Sequence, residues 1–301
     1  MARKILAAII FVIVVLVLGM VMWALLANVI YVSTRSKSLL PVNPSAVSPI
    51  ASLGISGNPP QIEAKDLGEL SPAYGKINIS KDNSYLRGDN SDDEYIYVIA
   101  NIHNKEPIKL SGMILHSLVS NQMAMIPKGV ETFVLGQVNI EKDIYLAPGE
   151  VAILHSGKSP AGVSFKSNMC SGFLNDLWEN SSVRFSTAWC PRPELILPNT
   201  VSNIKKYGDS CMDAVQELSR CEHFLNKNPY YKKVSPLCRQ TLSNEMTYNA
   251  CVKKYKNSKN FHYPGAVWHI FLNREKKLWK NRYEVIRLMD QDGKTVSAVS
   301  F

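Results

Sequence analysis

The sequence predicts a mainly β domain, either a β-sandwich or a barrel, that carries a helical insertion and follows one transmembrane helix. Three observations lead to this fold class. An apolar run stands near the N-terminus, short alternating segments separated by turn signals fill the middle and the end of the chain, and residues 201–262 interrupt that strand pattern.

The N-terminal apolar segment runs from Ile5 to Val32 and contains one clearly polar residue, Asn28. As a helix its length would be roughly 42 Å, which exceeds the ~30 Å hydrocarbon core of a bilayer. A cleaved signal peptide has a shorter apolar run, of about 7–15 residues. We therefore predict a retained signal anchor over residues 1–33, with cleavage near Ala27 as the alternative.

The orientation of this anchor is predicted from charge and from cysteine usage. Arg3 and Lys4 precede the segment while Arg35 and Lys37 follow it, so that only the N-terminal amine tips the balance toward a cytoplasmic N-terminus. An even number of cysteines, all beyond the segment, indicates three disulfides in an oxidising compartment. We expect a single-pass protein of the cell membrane with its C-terminal domain outside the cytoplasm. The cysteines are Cys170, Cys190, Cys211, Cys221, Cys238 and Cys251.

Residues 34–70 are rich in Pro, Ser, Gly and Asn and show no apolar period, which predicts a linker. The folded part is expected from residue 71 to residue 301. The acidic residues within 81–94 are oxygen ligands of the kind that Ca²⁺ prefers, but they lack the EF-hand spacing. We expect a solvated turn there, with calcium binding as the alternative.

Strands are predicted where apolar and polar residues alternate between turn signals. Ala147–Glu150 and Asp290–Gly293 are the two clearest turns, and the Asp-Gly pair in the second one favours a hairpin because glycine tolerates a positive φ. The predicted strands are 74–80, 94–102, 113–119, 132–135, 144–146, 151–155, 268–272, 283–289 and 295–301.

The insertion at 201–262 is predicted to be a helical hairpin, with one helix around residues 211–218 and another over 241–256. Antiparallel helices would place Cys211 near Cys251 and Cys221 near Cys238. Cys170 would then pair with Cys190. Neither the spacing of the two cysteines on the first helix nor that of the two on the second fits one helix face perfectly. The other pairings of these four cysteines therefore stay open.

Several short motifs, in their order along the chain, resemble the lamin-tail domain family. Four segments carry the resemblance first, and the closing hairpin at 285–296 then continues it. Four later segments, one of them within the insertion, resemble the bacterial extracytoplasmic members of this family. The first four segments are Glu94–Val98, Ile108–Gly112, Ile126–Gly129 and Ile144–Glu150; the later ones are Ser156–Pro160, Ser164–Lys166, Cys190–Pro193 and Tyr248–Val252.

The resemblance covers residues 71–301 and implies an immunoglobulin-like β-sandwich without catalytic residues, since the family is a binding or structural module. One departure is Met113, which stands where the family turn usually has Trp. This exchange removes an aromatic core anchor but leaves the turn chemistry intact. Fold alone does not assign a function.

The sequence contains no G-x-S-x-G or H-E-x-x-H motif, and its six histidines show no i, i+4 metal spacing. Gly157-Lys158-Ser159 lacks the first glycine of a phosphate loop, because residue 152 is Ala152. We therefore predict neither a cofactor nor a metal, and a non-enzymatic binding or structural module of the bacterial cell envelope. An envelope hydrolase or a carbohydrate-binding protein, with a site assembled in three dimensions, is the alternative.

The net charge of +9 resembles that of a nucleic-acid-binding protein, but the lysines are scattered through the C-terminal half without an aromatic platform. A solvated basic face, or attraction to an anionic surface, is the expected role of these lysines. The predicted partners are the membrane and an envelope protein or wall polymer, and not nucleic acid. Trp178, Trp189, Trp268 and Trp279 are expected in the core, and a sugar-stacking platform would need two or three of them on one exposed face.

Overall fold

A computed structural model of the chain describes residues 63–179, 181, 183–281 and 283–301, all within the compact unit Asn58–Phe301. The predicted signal anchor at 1–33 and residues 34–62 of the predicted linker lie outside the described residues. Between residues 63 and 301, the described helices are all too short or too polar to cross a membrane.

The described residues form twelve strands and six α-helices. They also form three short 3₁₀ turns, at Ala64–Leu67, Ser91–Asp93 and Ser171–Phe173. The strands are β1 Ile77–Tyr85, β2 Tyr95–Ala100, β3 Ile108–Lys109, β4 Ile114–Ser117, β5 Met123–Met125, β6 Gly129–Val130, β7 Tyr145–Leu146, β8 Val151–His155, β9 Ser164–Lys166, β10 Trp268–Phe271, β11 Val285–Met289 and β12 Thr295–Ser300. The helices are α1 Leu174–Leu177, α2 Pro193–Ile196, α3 Val201–Tyr207, α4 Asp209–Glu217, α5 Pro236–Glu245 and α6 Tyr248–Tyr255.

Two sheets hold most of the strands. The larger one has the order β1-β2-β8-β10-β9-β6, the smaller one has the order β12-β11-β4-β5, and β3 pairs with β7 separately. Within the larger sheet β10 runs parallel to β8 and antiparallel to β9. The predicted strand-rich architecture is confirmed at this level.

Alternation along the strands explains why these sheets pack on each other. In β2, Ile96 and Val98 are buried while Tyr95 and Tyr97 stay partly exposed on the other face. Ile96 and Val98 belong to the same buried cluster as Leu115, Ile286 and Leu288 of the smaller sheet. The inner faces of the two sheets therefore share one hydrophobic core.

Strand β10 is buried on both faces along its whole length. Its residues Trp268 and Ile270 belong to the core between the sheets. Phe271 belongs to a second core, formed mainly by the insertion, and the ring of His269 contacts Phe165 in that direction. A run without polar alternation is the sequence pattern that such a doubly covered strand requires.

The insertion leaves the sheet after β9 and returns at β10, so that it occupies residues 167–267 and is longer than the predicted 201–262. Because β9 and β10 are antiparallel neighbours, the two ends of the insertion lie side by side. The helix predicted around 211–218 is confirmed as α4. The helix predicted over 241–256 is wrong as one element: Thr247 has an extended backbone and its hydroxyl caps Ala250 N, which separates α5 from α6.

All six cysteines form disulfides, but the three predicted pairs, Cys170–Cys190, Cys211–Cys251 and Cys221–Cys238, are wrong. The bonds in the structure are Cys170–Cys251, Cys190–Cys221 and Cys211–Cys238. The prediction assumed a two-helix hairpin separate from residues 170–190. In the structure these residues belong to the insertion, so Cys170 and Cys190 are available as partners for the helical cysteines.

The strand predicted at 132–135 is also wrong, although Phe133 within it is buried. The ring of Phe133 stacks on Tyr248 at 4.7 Å between centroids. The backbone of Leu135 bonds the side chain of Asn249 in both directions, at 2.9 and 3.0 Å, instead of pairing with a strand. A side-chain amide here satisfies the peptide group that a neighbouring strand would otherwise satisfy.

The folded part begins before residue 71, where the sequence placed the end of the linker. Residues 64–67 form a 3₁₀ turn, and Leu70 bridges to Thr295 of β12. An ion pair between Glu69 and Lys294, at 2.6 Å, joins the same two segments. The last residues of the predicted linker therefore contact the smaller sheet.

The double substitution Cys170→Ala/Cys251→Ala should lower the free energy of unfolding by about 4 kcal/mol, because this bond closes a long loop in the unfolded chain. The sequence separation is 81 residues, against 27 for Cys211–Cys238. Removing the shorter bond in the same way should cost about 1 kcal/mol less. Urea unfolding of the full chain measures both effects, and non-reducing peptide mapping that linked Cys170 to Cys190 would contradict the pairing.

Candidate functional site

An aromatic row crosses four strands of the larger sheet on the face that is turned away from the smaller sheet. Tyr85 of β1 pairs with Tyr95 of β2, Tyr95 pairs with His155 of β8, and His155 pairs with Phe271 of β10. The successive ring centroids are 6.1, 6.1 and 4.7 Å apart. Because neighbouring strands lie about 4.8 Å apart, this strand register alone brings the four rings side by side.

The row changes from exposed to buried along its length. Tyr85 lies on the edge strand and is 45% exposed, Tyr95 is partly exposed, and His155 and Phe271 are buried. The ring of Tyr97 stands beside Tyr95 at 6.0 Å. The exposed end of the row is a ring surface that a ligand can contact.

The buried end of the row opens into a cleft between the sheet and the insertion, with a volume of about 410 Å³. His155 and Phe271 contribute to the wall, and the turn after β8 and helix α1 supply most of the rest. The polar groups of the wall are mainly carboxylates. The lining includes Asp92, Lys158, Asp176, Trp178, Glu179 and Ser181.

Gly157 positions the turn after β8 against the 3₁₀ turn at Ser91–Asp93. A Cβ on residue 157 would lie 1.9 Å from Asp92 Oδ1 and 2.7 Å from Asp92 Cα, so no larger residue fits without movement. Asp92 Oδ1 accepts a hydrogen bond from Lys158 N at 3.2 Å. The glycine in the Gly-Lys-Ser sequence therefore permits close packing of two turns, and the chain continues into β9 rather than into a helix.

Helix α1 presents Asp176 and Trp178 to the cleft. Asp176 Oδ2 lies 3.3 Å from Nδ1 of His223, and this contact holds the carboxylate in place. The Trp178 indole packs on Phe165, with centroids 5.9 Å apart, and Arg184 donates to the Trp178 carbonyl at 2.8 Å. Both side chains are therefore held by residues of the insertion and the sheet.

A buried pair of histidines stands between the cleft and the core of the insertion. Nε2 of His155 lies 3.1 Å from Nδ1 of His269, so that one ring donates a hydrogen bond to the other. Burial lowers the pKa of His269 from 6.5 to about 3. Burial, followed by repulsion from His269, holds the pKa of His155 well below 6.5. Both imidazoles are therefore neutral at neutral pH.

Nδ1 of His155 is buried and forms no hydrogen bond with the described protein groups. A buried polar atom without a partner is costly in a folded protein and marks a place where another molecule can supply the missing hydrogen bond. His155 is 5% exposed and lines the cleft. His155 thus lies at the junction of the aromatic row and the cleft.

The tryptophans do not form the platform that the sequence analysis considered. Trp268 and Trp279 are buried as expected, while Trp189 is 45% exposed and stacks on Tyr263 away from the row, which corrects the prediction of a core position. The tyrosines were missed as candidates. The Tyr-Ile-Tyr alternation of β2 was the available signal, because it places both tyrosines on one face.

The remaining predicted features stay apart from this site. Within the described ranges, no three His, Cys, Asp or Glu side chains are close enough together to hold a metal ion. The lysines of the insertion are exposed to solvent, and Lys205, Lys206, Lys253 and Lys254 occupy the last turns of α3 and α6, where they complement the helix dipoles. The basic excess is thus a solvated face, as predicted.

The histidine pair should make stability depend on pH. The folded pKa of His269 is lowered, so the unfolded chain takes up a proton near pH 6.5 that the folded chain refuses. For His269 the free energy of unfolding should fall as the pH drops from 6.5 toward 3, by up to about 1.4 kcal/mol per pH unit. The pKa of His155 is also lowered, so His155 should add to this slope in the same direction. Urea unfolding of the full chain between pH 7.5 and 4.5 measures this slope.

His269→Gln should reduce that slope by about one histidine's share, or ~1.4 kcal/mol per pH unit. The matched control is His103→Gln, since His103 is exposed and should leave the slope unchanged. Equal slopes for the wild-type chain and His269→Gln would show that the pair does not carry the effect.

The arrangement as a whole can hold a polar ligand that also has an apolar face. The aromatic row supplies ring surfaces, the cleft supplies carboxylates, and His155 supplies a neutral imidazole that either donates or accepts. Comparison of the chain with models of known protein families, with curated proteins and with solved structures found no match.

Proposed function

We propose that the chain is a membrane-anchored, non-enzymatic binding module of the bacterial cell envelope, displayed outside the cytoplasm. The observation that carries this proposal is the state of the cysteines: all six are paired in three disulfides, and none of the six is more than 5% exposed. Such bonds persist in oxidising compartments and are rare in the cytoplasm. The N-terminal segment Ile5–Val32 would then be the anchor.

We also propose a lamin-tail-like, immunoglobulin-like β-sandwich as the fold that this anchor carries. Two features support the proposal. The two sheets share one core, and two of the motifs that resemble the family form turns as expected: Gly149 and Gly293 both have positive φ, and their neighbours Ala147 and Asp290 accept the turn hydrogen bonds.

The binding role is supported by the aromatic row and the cleft, because they join exposed rings to a set of fixed polar groups at the boundary of sheet and insertion. Clefts with a few convergent polar groups are the usual form of a ligand site. The expected ligand is a component of the envelope, either a wall polymer or another protein. Carboxylates around the cleft argue against a nucleic-acid partner, whose phosphates they would repel.

An envelope hydrolase is the second candidate, and one observation favours it. His155 is a neutral imidazole in the wall of a cleft that also contains Asp92 and Asp176. An imidazole must be in its neutral form to accept a proton as a general base. Release of reducing ends from purified wall polymer by the full chain, abolished by His155→Gln, would support the hydrolase over the binding module.

The proposed location predicts that protease added to intact spheroplasts will remove a C-terminal epitope tag from the full chain. A cytoplasmic protein in the same cells should stay intact until the membrane is lysed. In parallel, denatured chains should react with a maleimide at none of their cysteines before reduction and at all six after it, since no cysteine is free. A tag that is lost only after lysis would place the domain in the cytoplasm and contradict the proposal.

A further inference from the structure

We infer that the aromatic row and the cleft together form a binding site for a glycan chain that carries no acidic groups. The inference rests on the proposed function, because it names the ligand class of the envelope module. It concerns the outer face of β1, β2 and β8 and the adjoining wall of the insertion.

The aromatic row supplies the apolar contacts of the proposed site. Tyr85 and Tyr95 offer ring surface at the open edge of the sheet, and the row continues through His155 to Phe271 without a gap larger than 6.1 Å between centroids. Sugar rings have an apolar C–H face that packs on the electron-rich face of an aromatic ring. Rings repeated across strands suit a ligand made of repeated rings.

The side chains of the cleft wall supply the polar contacts of the proposed site. Asp92, Asp176 and Glu179 are acceptor groups, which match the hydroxyl donors of a sugar, while Ser181 both donates and accepts. An apolar ligand would displace water from these groups without offering them hydrogen bonds, at a cost for each of them. The wall therefore favours a ligand with many hydroxyl groups.

The charge of the wall sets a further limit on the ligand. The lining contains three carboxylates and one lysine, Lys158. Lys158 pairs with Glu275 at 3.0 Å and Glu179 pairs with Lys227 at 3.7 Å, so that carboxylates still outnumber ammonium groups in and around the wall. An acidic polysaccharide would meet like charge at close range, whereas a neutral or amine-bearing glycan would not. The cleft wall should therefore bind neutral or amine-bearing glycans in preference to acidic ones.

His155 supports a hydroxyl-bearing ligand independently of which residue types line the cleft. Its side chain is buried, its Nε2 bonds His269, and its Nδ1 bonds no described protein group. The residue lies between the ring of Tyr95 and the cleft, where one ligand hydroxyl would complete its hydrogen bonding. Because the imidazole stays neutral, Nδ1 is either a donor or an acceptor, and a hydroxyl group can match both.

A peptide fits this site less well. Extended peptides bind sheets through backbone hydrogen bonds along an edge strand. The row instead runs across strands, and the backbone groups of β2 and β8 beneath it are already paired within the sheet. A peptide that lay along the row would find ring surface but no free backbone groups in β2 and β8.

The test uses the full chain in detergent micelles and titrates it by calorimetry with cellohexaose, chitohexaose and hexagalacturonate. At least one of the two neutral hexasaccharides should bind, and the acidic one should bind at least tenfold more weakly or not at all. Tyr85→Ala and Tyr95→Ala should each weaken binding about fivefold to tenfold, as expected for the loss of one ring contact. Tyr95→Phe keeps the ring and should retain the affinity.

Tyr145→Ala is the matched control, since Tyr145 is a tyrosine of similar exposure, 49% against 45% for Tyr85, on a different sheet. It should leave binding unchanged. Urea unfolding reports whether each variant folds, and Tyr85→Ala carries the test if Tyr95→Ala does not fold, because Tyr85 is on the exposed edge.

The inference is overturned if neither neutral hexasaccharide binds, if the Tyr85 and Tyr95 variants bind like the wild type, or if hexagalacturonate binds as tightly as the neutral chains. Binding of a hexalysine peptide that Tyr95→Ala weakens, without glycan binding, would also overturn it and favour a peptide ligand. The protease assay separates these failures from that of the proposed function. A chain that is displayed outside the cytoplasm but binds neither neutral glycan leaves the location intact and removes the ligand class.

Discussion

The double burial of β10 is the constraint on which the rest of the structure depends. Its residues Trp268 and Ile270 complete the core between the sheets, and Phe271 joins the core of the insertion. Each buried aliphatic or aromatic side chain of this size contributes about 1.5–3 kcal/mol relative to an exposed one. The sheet therefore needs the insertion as a cover, and the insertion is not a module that the β domain merely carries.

The same burial determines the chemistry of the site. His269 and Phe271 lie on the same covered face of β10. The imidazole of His269 is therefore removed from water, and its pKa falls to about 3. Its partner His155 shares this environment, and the pair stays neutral with one internal hydrogen bond. A sheet face that was open to solvent at β8 and β10, as it is at β1 and β2, would leave these histidines near their ordinary pKa. The contrast between the two halves of this face produces a row that is exposed at one end and buried at the other.

The sequence allowed prediction of elements that depend on local chemistry, and failed where packing between distant segments decides. The strand at Val151–His155 was predicted to the residue, and the turn at Asp290–Gly293 was found from its Asp-Gly pair. Disulfide pairing depends on how six helices and several loops pack, which no periodicity reveals. The aromatic row depends on strand register: alternation places Tyr95 on a face but does not place it opposite His155.

The disulfides also connect the compartment to the site. Helix α1, which forms one wall of the cleft, is separated from Cys170 only by the 3₁₀ turn at Ser171–Phe173. The Cys170–Cys251 bond ties this start of the insertion to its last helix. Gly172 lies against the Cys190–Cys221 bond so closely that a Cβ there would be 2.5 Å from Cys190 Sγ. The position of Asp176 and Trp178 thus depends on two covalent bonds that the cytoplasm would reduce. This side of the cleft is therefore held in part by covalent bonds, which persist in oxidising compartments. The proposed binding site and the proposed location thus rest on the same disulfides.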